Sequence, residues 1–264
     1  MCYDIDARPP LPPIAGGAAD SEDLVLTSAD GTPFAAFAAR AASPNGAGMV
    51  VLPDVRGLFR FYEELALRFA EQGVNAVAID YFGRTGGVAK RGEDFPFMEH
   101  VRETRLETVT ADVAAAVAYL RSPAGGQCSS IFTVGFCFGG SNSWLQAAAG
   151  HGLAGAIGFY GNPGPSLADG SPGPAARLSE LRAPILALAA GADDYIKAEA
   201  NEAFGQALAA ASGEHEYVSY AGAPHSFFDR SFAQYANDCA DAWTRILAFI
   251  DRHRVPTPTA SPAR

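Results

Sequence analysis

The stretch "SIFTVGFCFGGSNSWLQAAAG", residues 130–150, decides how the rest of the chain is read. An apolar run leads into Gly135-Phe136-Cys137-Phe138-Gly139, and a helix-forming segment follows. A chain that places glycines on both sides of a cysteine either turns sharply there or leaves the sulfur open to a visitor. A strand that turns abruptly into a helix does both, because glycine two positions before and after the turn allows a backbone approach that a Cβ would block.

The same strand-to-helix alternation extends outward. "GMVVLP" (48–53), "VNAVAID" (74–80), "LAGAIGFYG" (153–161), "APILALAAG" (183–191) and "EHEYVSYAG" (214–222) read as strands, most of them apolar nearly throughout. Helical spacing of apolar residues runs through "FRFYEELALRFAEQG" (59–73), "RETRLETVTADVAAAVAYLRS" (102–122), "IKAEANEAFGQALAAA" (196–211) and "FAQYANDCADAWTRILAFIDRHR" (232–254). Apolar strands separated by helices indicate an α/β fold with a mostly parallel sheet covered on both faces. Upstream, "EDLVLTSADGTPFAAFAAR" reads as an N-terminal hairpin turning at Asp30-Gly31. An irregular arm over 1–20 and a disordered tail over 255–264 complete one domain spanning 1–264.

Composition narrows the partners. The 264 residues carry a net charge of −10 with only 19 Lys and Arg, which disfavours nucleic acid and anionic membrane surfaces. No apolar run approaches the roughly 20 residues of a membrane span. The N-terminus lacks the basic and apolar regions of a secretory signal. Cys2, Cys128, Cys137 and Cys239 follow neither disulfide nor metal-ligand spacing, so reduced thiols in a cytoplasmic protein without metal or cofactor are expected. Monomer and small homo-oligomer both remain open.

The turn at Cys137 is the G-x-S-x-G nucleophile elbow with sulfur in place of oxygen, and it sets the thiol at a helix N-terminus that favours thiolate. Such an elbow predicts an acid after a later strand and a histidine after the last one. "GADDY" supplies Asp193 and Asp194, and "GAPHSFFD" supplies His225. His100, His151, His215 and His253 have no comparable context, and Cys128 and Cys239 read as packing residues.

Through "LPDVRGL", "DYFGR", "GFCFGG", "GADD" and "GAPHSF", the chain from about residue 23 to 250 resembles the dienelactone hydrolases (carboxymethylenebutenolidases) of the α/β-hydrolase superfamily. The resemblance implies the α/β-hydrolase fold and a small ester or lactone substrate that can carry a carboxylate. It selects Asp193 over Asp194 as the acid and His225 as the histidine. Two positions depart from the family. Asp54 stands where the family keeps a glutamate that gates the thiol. Asp229 stands where the second of two substrate-binding arginines falls, with Arg230 beside it, while Arg84 matches the first.

The mechanism expected from these residues is attack by Cys137, proton transfer by His225 and orientation of the imidazole by Asp193. The backbone N–H groups of Phe138 and Val55 are the expected oxyanion hole. Phe82, Tyr160 and Phe227 adjoin strand ends as candidate site lining. The glycine-rich segments 83–100 and 161–176 are the expected walls of the pocket. A general carboxylesterase or thioesterase of the same fold is the alternative, and a redox-sensing role for Cys137 without hydrolysis is the third reading.

Overall fold

Pairing of the short apolar runs builds one eight-stranded sheet among the described residues, which are 7–256 of the computed structural model. The strands are β1 (Ala18–Thr27), β2 (Pro33–Ala41), β3 (Ala47–Leu52), β4 (Asn75–Ile79), β5 (Ser130–Phe136), β6 (Gly155–Phe159), β7 (Ile185–Ala190) and β8 (Glu216–Tyr220). Their spatial order is β1-β2-β4-β3-β5-β6-β7-β8. The first two form the antiparallel hairpin, β2 meets β4 antiparallel, and every later pairing is parallel. Asp30-Gly31 makes the hairpin turn: Gly31 has φ 83° and Asp30 Oδ1 accepts the Thr32 amide at 3.0 Å. Residues 1–6 and the tail from 257 onward, Cys2 included, lie outside the described residues.

Helices α1 (Arg60–Glu71), α2 (Gly83–Gly86), α3 (Phe97–Glu103), α4 (Leu106–Arg121), α5 (Phe138–Gln146), α6 (Ala198–Ala210) and α7 (Ala236–His253) connect the strands. Alternation along each strand sends side chains to two cores. Met49, Val51, Phe132, Val134 and Phe159 meet Phe61, Leu65 and Phe69 of α1 and Ile246 and Phe249 of α7 on one face. On the other, Val50, Val77 and Ile79 meet Val109, Val113 and Val117 of α4, while Ile185 and Ala187 meet Trp144 of α5 and Phe204 of α6. Each large apolar side chain so buried contributes about 1.5–3 kcal/mol.

The helix expected over 102–122 is two helices. Thr104 is extended (ψ 139°) and its hydroxyl donates to the His100 carbonyl at 2.9 Å, closing α3. Thr108 Oγ1 accepts the Arg105 amide at 3.3 Å and opens α4. Short polar side chains at both ends satisfy the backbone groups that the break leaves over. No helix of the described residues is long and apolar enough to cross a membrane.

Candidate active site

The parallel strands all end at one edge of the sheet, and the singled-out residues sit just beyond those ends: Asp54 and Val55 after β3, Cys137 after β5, Tyr160 after β6, Asp193 after β7, His225 after β8. This is the edge at which open α/β sheets hold ligands.

Cys137 adopts φ 55° and ψ −114°, a region an L-residue occupies only under constraint. The flanking glycines explain how the turn closes. A Cβ on Gly135 would land on the carbonyl oxygen of Gly139, and one on Gly139 would strike the carbonyls of Leu52 and Pro53. The Cys137 N–H donates to the Phe159 carbonyl at 3.1 Å, and the Cys137 carbonyl receives the Gly140 and Ser141 amides, which starts α5. The sulfur therefore stands at the N-terminus of a nine-residue helix, half-buried and facing a cleft. Val55 and Phe138 line the same cleft, and among the described residues neither amide donates to a protein acceptor.

The loops after β7 and β8 are stitched together by Gly191 N–H to Tyr220 O and Ala192 N–H to Ala223 O, both 2.9 Å. That stitching sets Asp193 against His225: Asp193 Oδ2 lies 2.7 Å from Nδ1 of the imidazole. The other oxygen, Oδ1, accepts the amides of Tyr195 (2.8 Å) and Ile196 (3.0 Å), so the carboxylate cannot swing. Burial disfavours a charged imidazole here. The hydrogen bond that the imidazole donates to Asp193, its hydrogen bonding with Cys137 and the negative charge of both outweigh it, and the His225 pKa is pushed up to about 10. Asp194 instead lines the cleft.

The cleft encloses about 640 Å³. Phe97 and Met98 of segment 83–100 form one wall, and Asn162, Leu167 and Pro174 of segment 161–176 form another. Tyr160, Tyr195 and Arg230 also line it. Asp54 lies behind the wall, fully buried, with Oδ1 accepting the Arg56 amide at 2.8 Å. Beside it, burial first, then the charges of Asp54, Asp80 and Cys137, push the Tyr81 phenol well above its ordinary value; its hydroxyl donates to the Pro53 carbonyl.

Three residues expected at the site, the substrate-binding Arg84 and the lining residues Phe82 and Phe227, are absent from the cleft lining. Arg84 is absent from the cleft lining: its Nε donates to Asp30 Oδ2 and its Nη1 to both oxygens of the buried Asp112, each at 2.9 Å. In this structure the guanidinium is committed to two carboxylates of its own chain. Phe82 is buried against Tyr81, Phe95 and His100, at centroid distances of 5.5–5.7 Å. Phe227 is buried against Phe159, Tyr160 and Tyr220. Both rings belong to the aromatic packing under the strand ends.

The sequence alone assigns no role to Tyr195 or to the buried Asp229. Tyr195 is mostly exposed, and its ring meets the imidazole edge-on at 5.1 Å. Only its place next to the "GADD" step could have signalled it. Asp229, noted for what it is not, turns out to hold Tyr160: the tyrosine hydroxyl donates to its Oδ2 at 2.7 Å.

Comparisons with known proteins identify the family of the chain. Residues 34–254 match the model of the Dienelactone hydrolase family. A carboxymethylenebutenolidase of Rhodococcus opacus is 29% identical over 265 residues, covering 96% of this chain and 97% of that one. A provisionally named carboxymethylenebutenolidase of Escherichia coli (strain K12) is 30% identical over 209 residues, 78% of this chain and 76% of its own. The crystal structure of a provisionally assigned dienelactone hydrolase from Klebsiella pneumoniae subsp. pneumoniae superposes with a TM-score of 0.74 at 27% identity, covering 88% of this chain and 99% of that one.

Proposed function

Because the chain belongs to the dienelactone hydrolase family, we propose that it hydrolyses an ester or lactone through a thioester on Cys137, with His225 and Asp193 moving and steering the protons. The observation that carries this reading is the connected trio: a cysteine held at φ 55° in the cleft lining, an imidazole in the same lining whose pKa that cysteine helps to raise, and a carboxylate fixed 2.7 Å from the imidazole.

With the His225 pKa pushed up to about 10, the imidazolium is the resting form at neutral pH, and a helix N-terminus beside a cation is the setting that favours a thiolate at Cys137. The thiolate attacks the carbonyl carbon, and the negative charge moves to the carbonyl oxygen, where the Phe138 and Val55 amides can donate to it. Collapse breaks the bond to the leaving oxygen, which takes its proton from imidazolium Nε2. In a lactone that oxygen stays attached to the acyl chain. The neutral imidazole then removes a proton from water, the hydroxide attacks the thioester, and the carbon–sulfur bond breaks to restore thiolate and imidazolium. Asp193 stabilises the imidazolium and keeps Nδ1 turned away from the sulfur.

Substrate recognition rests on the apolar walls and on Arg230, the arginine in the cleft lining. A carboxylated lactone would place its anion there, whereas a neutral ester needs only the walls. The decisive experiment replaces Cys137 with alanine and follows hydrolysis of p-nitrophenyl acetate and of a carboxylated enol lactone, with acyl adducts sought by mass spectrometry. Loss of both activities, and of an adduct that the wild type carries on the peptide containing Cys137, is expected. Cys128→Ala and Cys239→Ala should stay within a few-fold of wild type. A Cys137→Ala protein that keeps most of its rate would refute the mechanism.

A further inference from the structure

The imidazole of His225 is held by more than Asp193. Tyr160 follows β6 with φ 35°, a left-handed conformation that an aromatic residue seldom adopts, and this bend turns its ring back beneath the cleft. The ring packs on the imidazole at a centroid distance of 4.9 Å and an interplanar angle of 53°. Phe136, Phe159 and Phe227 surround its remaining sides. Its hydroxyl donates to Asp229 Oδ2 at 2.7 Å, and Asp229 Oδ1 accepts the amide of Arg230.

Asp229 belongs to the same turn as His225. Its amide donates to the Ser226 carbonyl at 3.2 Å, and Ser226 itself sits at φ 64°. The contacts thus form a ring: imidazole to Tyr160, Tyr160 to Asp229, and Asp229 through the turn back to the imidazole. A carboxyl group only 1% exposed is costly to bury, and burial, with the charge of Asp54 adding to it and the Tyr160 hydrogen bond opposing it, pushes its pKa well above the ordinary range. An apolar residue of similar shape would avoid that cost if filling space were the only requirement.

We propose that Asp229 is a positioning residue for hydrolysis: acting through the hydroxyl of Tyr160, it fixes the ring on which His225 rests and so keeps Nε2 aimed at the sulfur of Cys137. This rests on the reading of Cys137 and His225 as the reacting pair. Asp193 sets one edge of the imidazole and Tyr195 covers a second side, so the Tyr160 ring is what stops the remaining tilt. A small misalignment at a reacting pair is enough to cost one or two orders of magnitude in rate.

The test is a double-mutant cycle on Tyr160→Phe and Asp229→Ala, reading kcat, KM, melting temperature and the rate of Cys137 alkylation by iodoacetamide without substrate. Each single change is expected to lower kcat and the alkylation rate about tenfold, with KM within about twofold. The double variant should be no worse than the poorer single one, because both act on one contact. Losses that multiply, a loss confined to KM, or a lowered melting temperature with unchanged kcat and alkylation would overturn the proposal. If Asp229→Ala does not fold, Tyr160→Phe, which removes one oxygen atom, decides alone: unchanged kcat and alkylation refute it. Hydrolysis surviving in Cys137→Ala would sink the underlying mechanism separately, whatever the cycle shows.

Discussion

Asp193 Oδ2 lies 2.7 Å from Nδ1 of His225, while Asp194, the next residue, faces the cleft. Two adjacent carboxylates of identical chemistry are thereby given different tasks by one step of backbone. Asp193→Asn should lower kcat by about 10⁴-fold, because an amide presents its N–H to the imidazole and favours the wrong tautomer. Asp194→Asn should stay within a few-fold, apart from any effect on charged substrates. Steady-state kinetics of the two variants side by side settle the point, and a larger loss at 194 would contradict it.

His225 offers a pH prediction. Its pKa is raised from 6.5 to about 10, with burial opposing the shift and Asp193 and Cys137 producing it. A pKa raised in the folded state adds stability that is fully present below the unfolded value of about 6.5 and is lost as pH climbs through the folded value. The window for this loss therefore runs from about 6.5 to about 10. NMR titration of the imidazole should give a midpoint close to the upper end of that window in wild type. In Cys137→Ala the midpoint should be lower, because the sulfur supplies two of the raising interactions. An identical midpoint in both proteins would show that the sulfur and imidazole do not interact.

How much of this was legible in the sequence follows from how local each constraint is. The Cys137 turn is written into five consecutive residues, since only glycine fits at 135 and 139. The placement of Asp193 and His225 follows from strand order, which apolar patterning reveals. The Tyr160–Asp229 contact joins two loops separated by 69 residues, and nothing local encodes it. The ion pairs of Arg84 are hidden for a related reason. A sequence displays a charge but not its partner, and Asp112 sits within α4 and Asp30 in the hairpin turn. The break between α3 and α4 depends on two threonine hydroxyls in a stretch that otherwise keeps helical character.

The turn also makes a stability prediction. Gly135→Ala would drive a methyl group into the backbone oxygen of Gly139, which cannot move without displacing α5. The expected cost is roughly 3–5 kcal/mol, in the range of the most damaging single changes. Gly92→Ala is the control, because a Cβ there meets nothing within 4 Å, and its effect should stay within about 0.5 kcal/mol. Denaturant unfolding measures both. Equal, small effects would mean that the elbow is not constrained at that glycine.

The two arginines should separate by what their loss does. Arg84 is tied to Asp30 and to the buried Asp112, so Arg84→Ala leaves Asp112 without its cation. Burial already pushes the Asp112 pKa up, so the orphaned carboxyl can take a proton, which limits the penalty to about 3 kcal/mol, the lower end for a broken buried pair. Its ratio of activities on an acidic lactone and a neutral ester should not change. Arg230 lines the cleft, and Arg230→Ala should raise KM for the acidic lactone alone. One charged hydrogen bond of about 1.5–3 kcal/mol corresponds to roughly ten- to a hundredfold. If Arg84→Ala instead raised KM for the acidic substrate alone, the ion pair with Asp112 would have to open when substrate binds, and the anion would be read by Arg84.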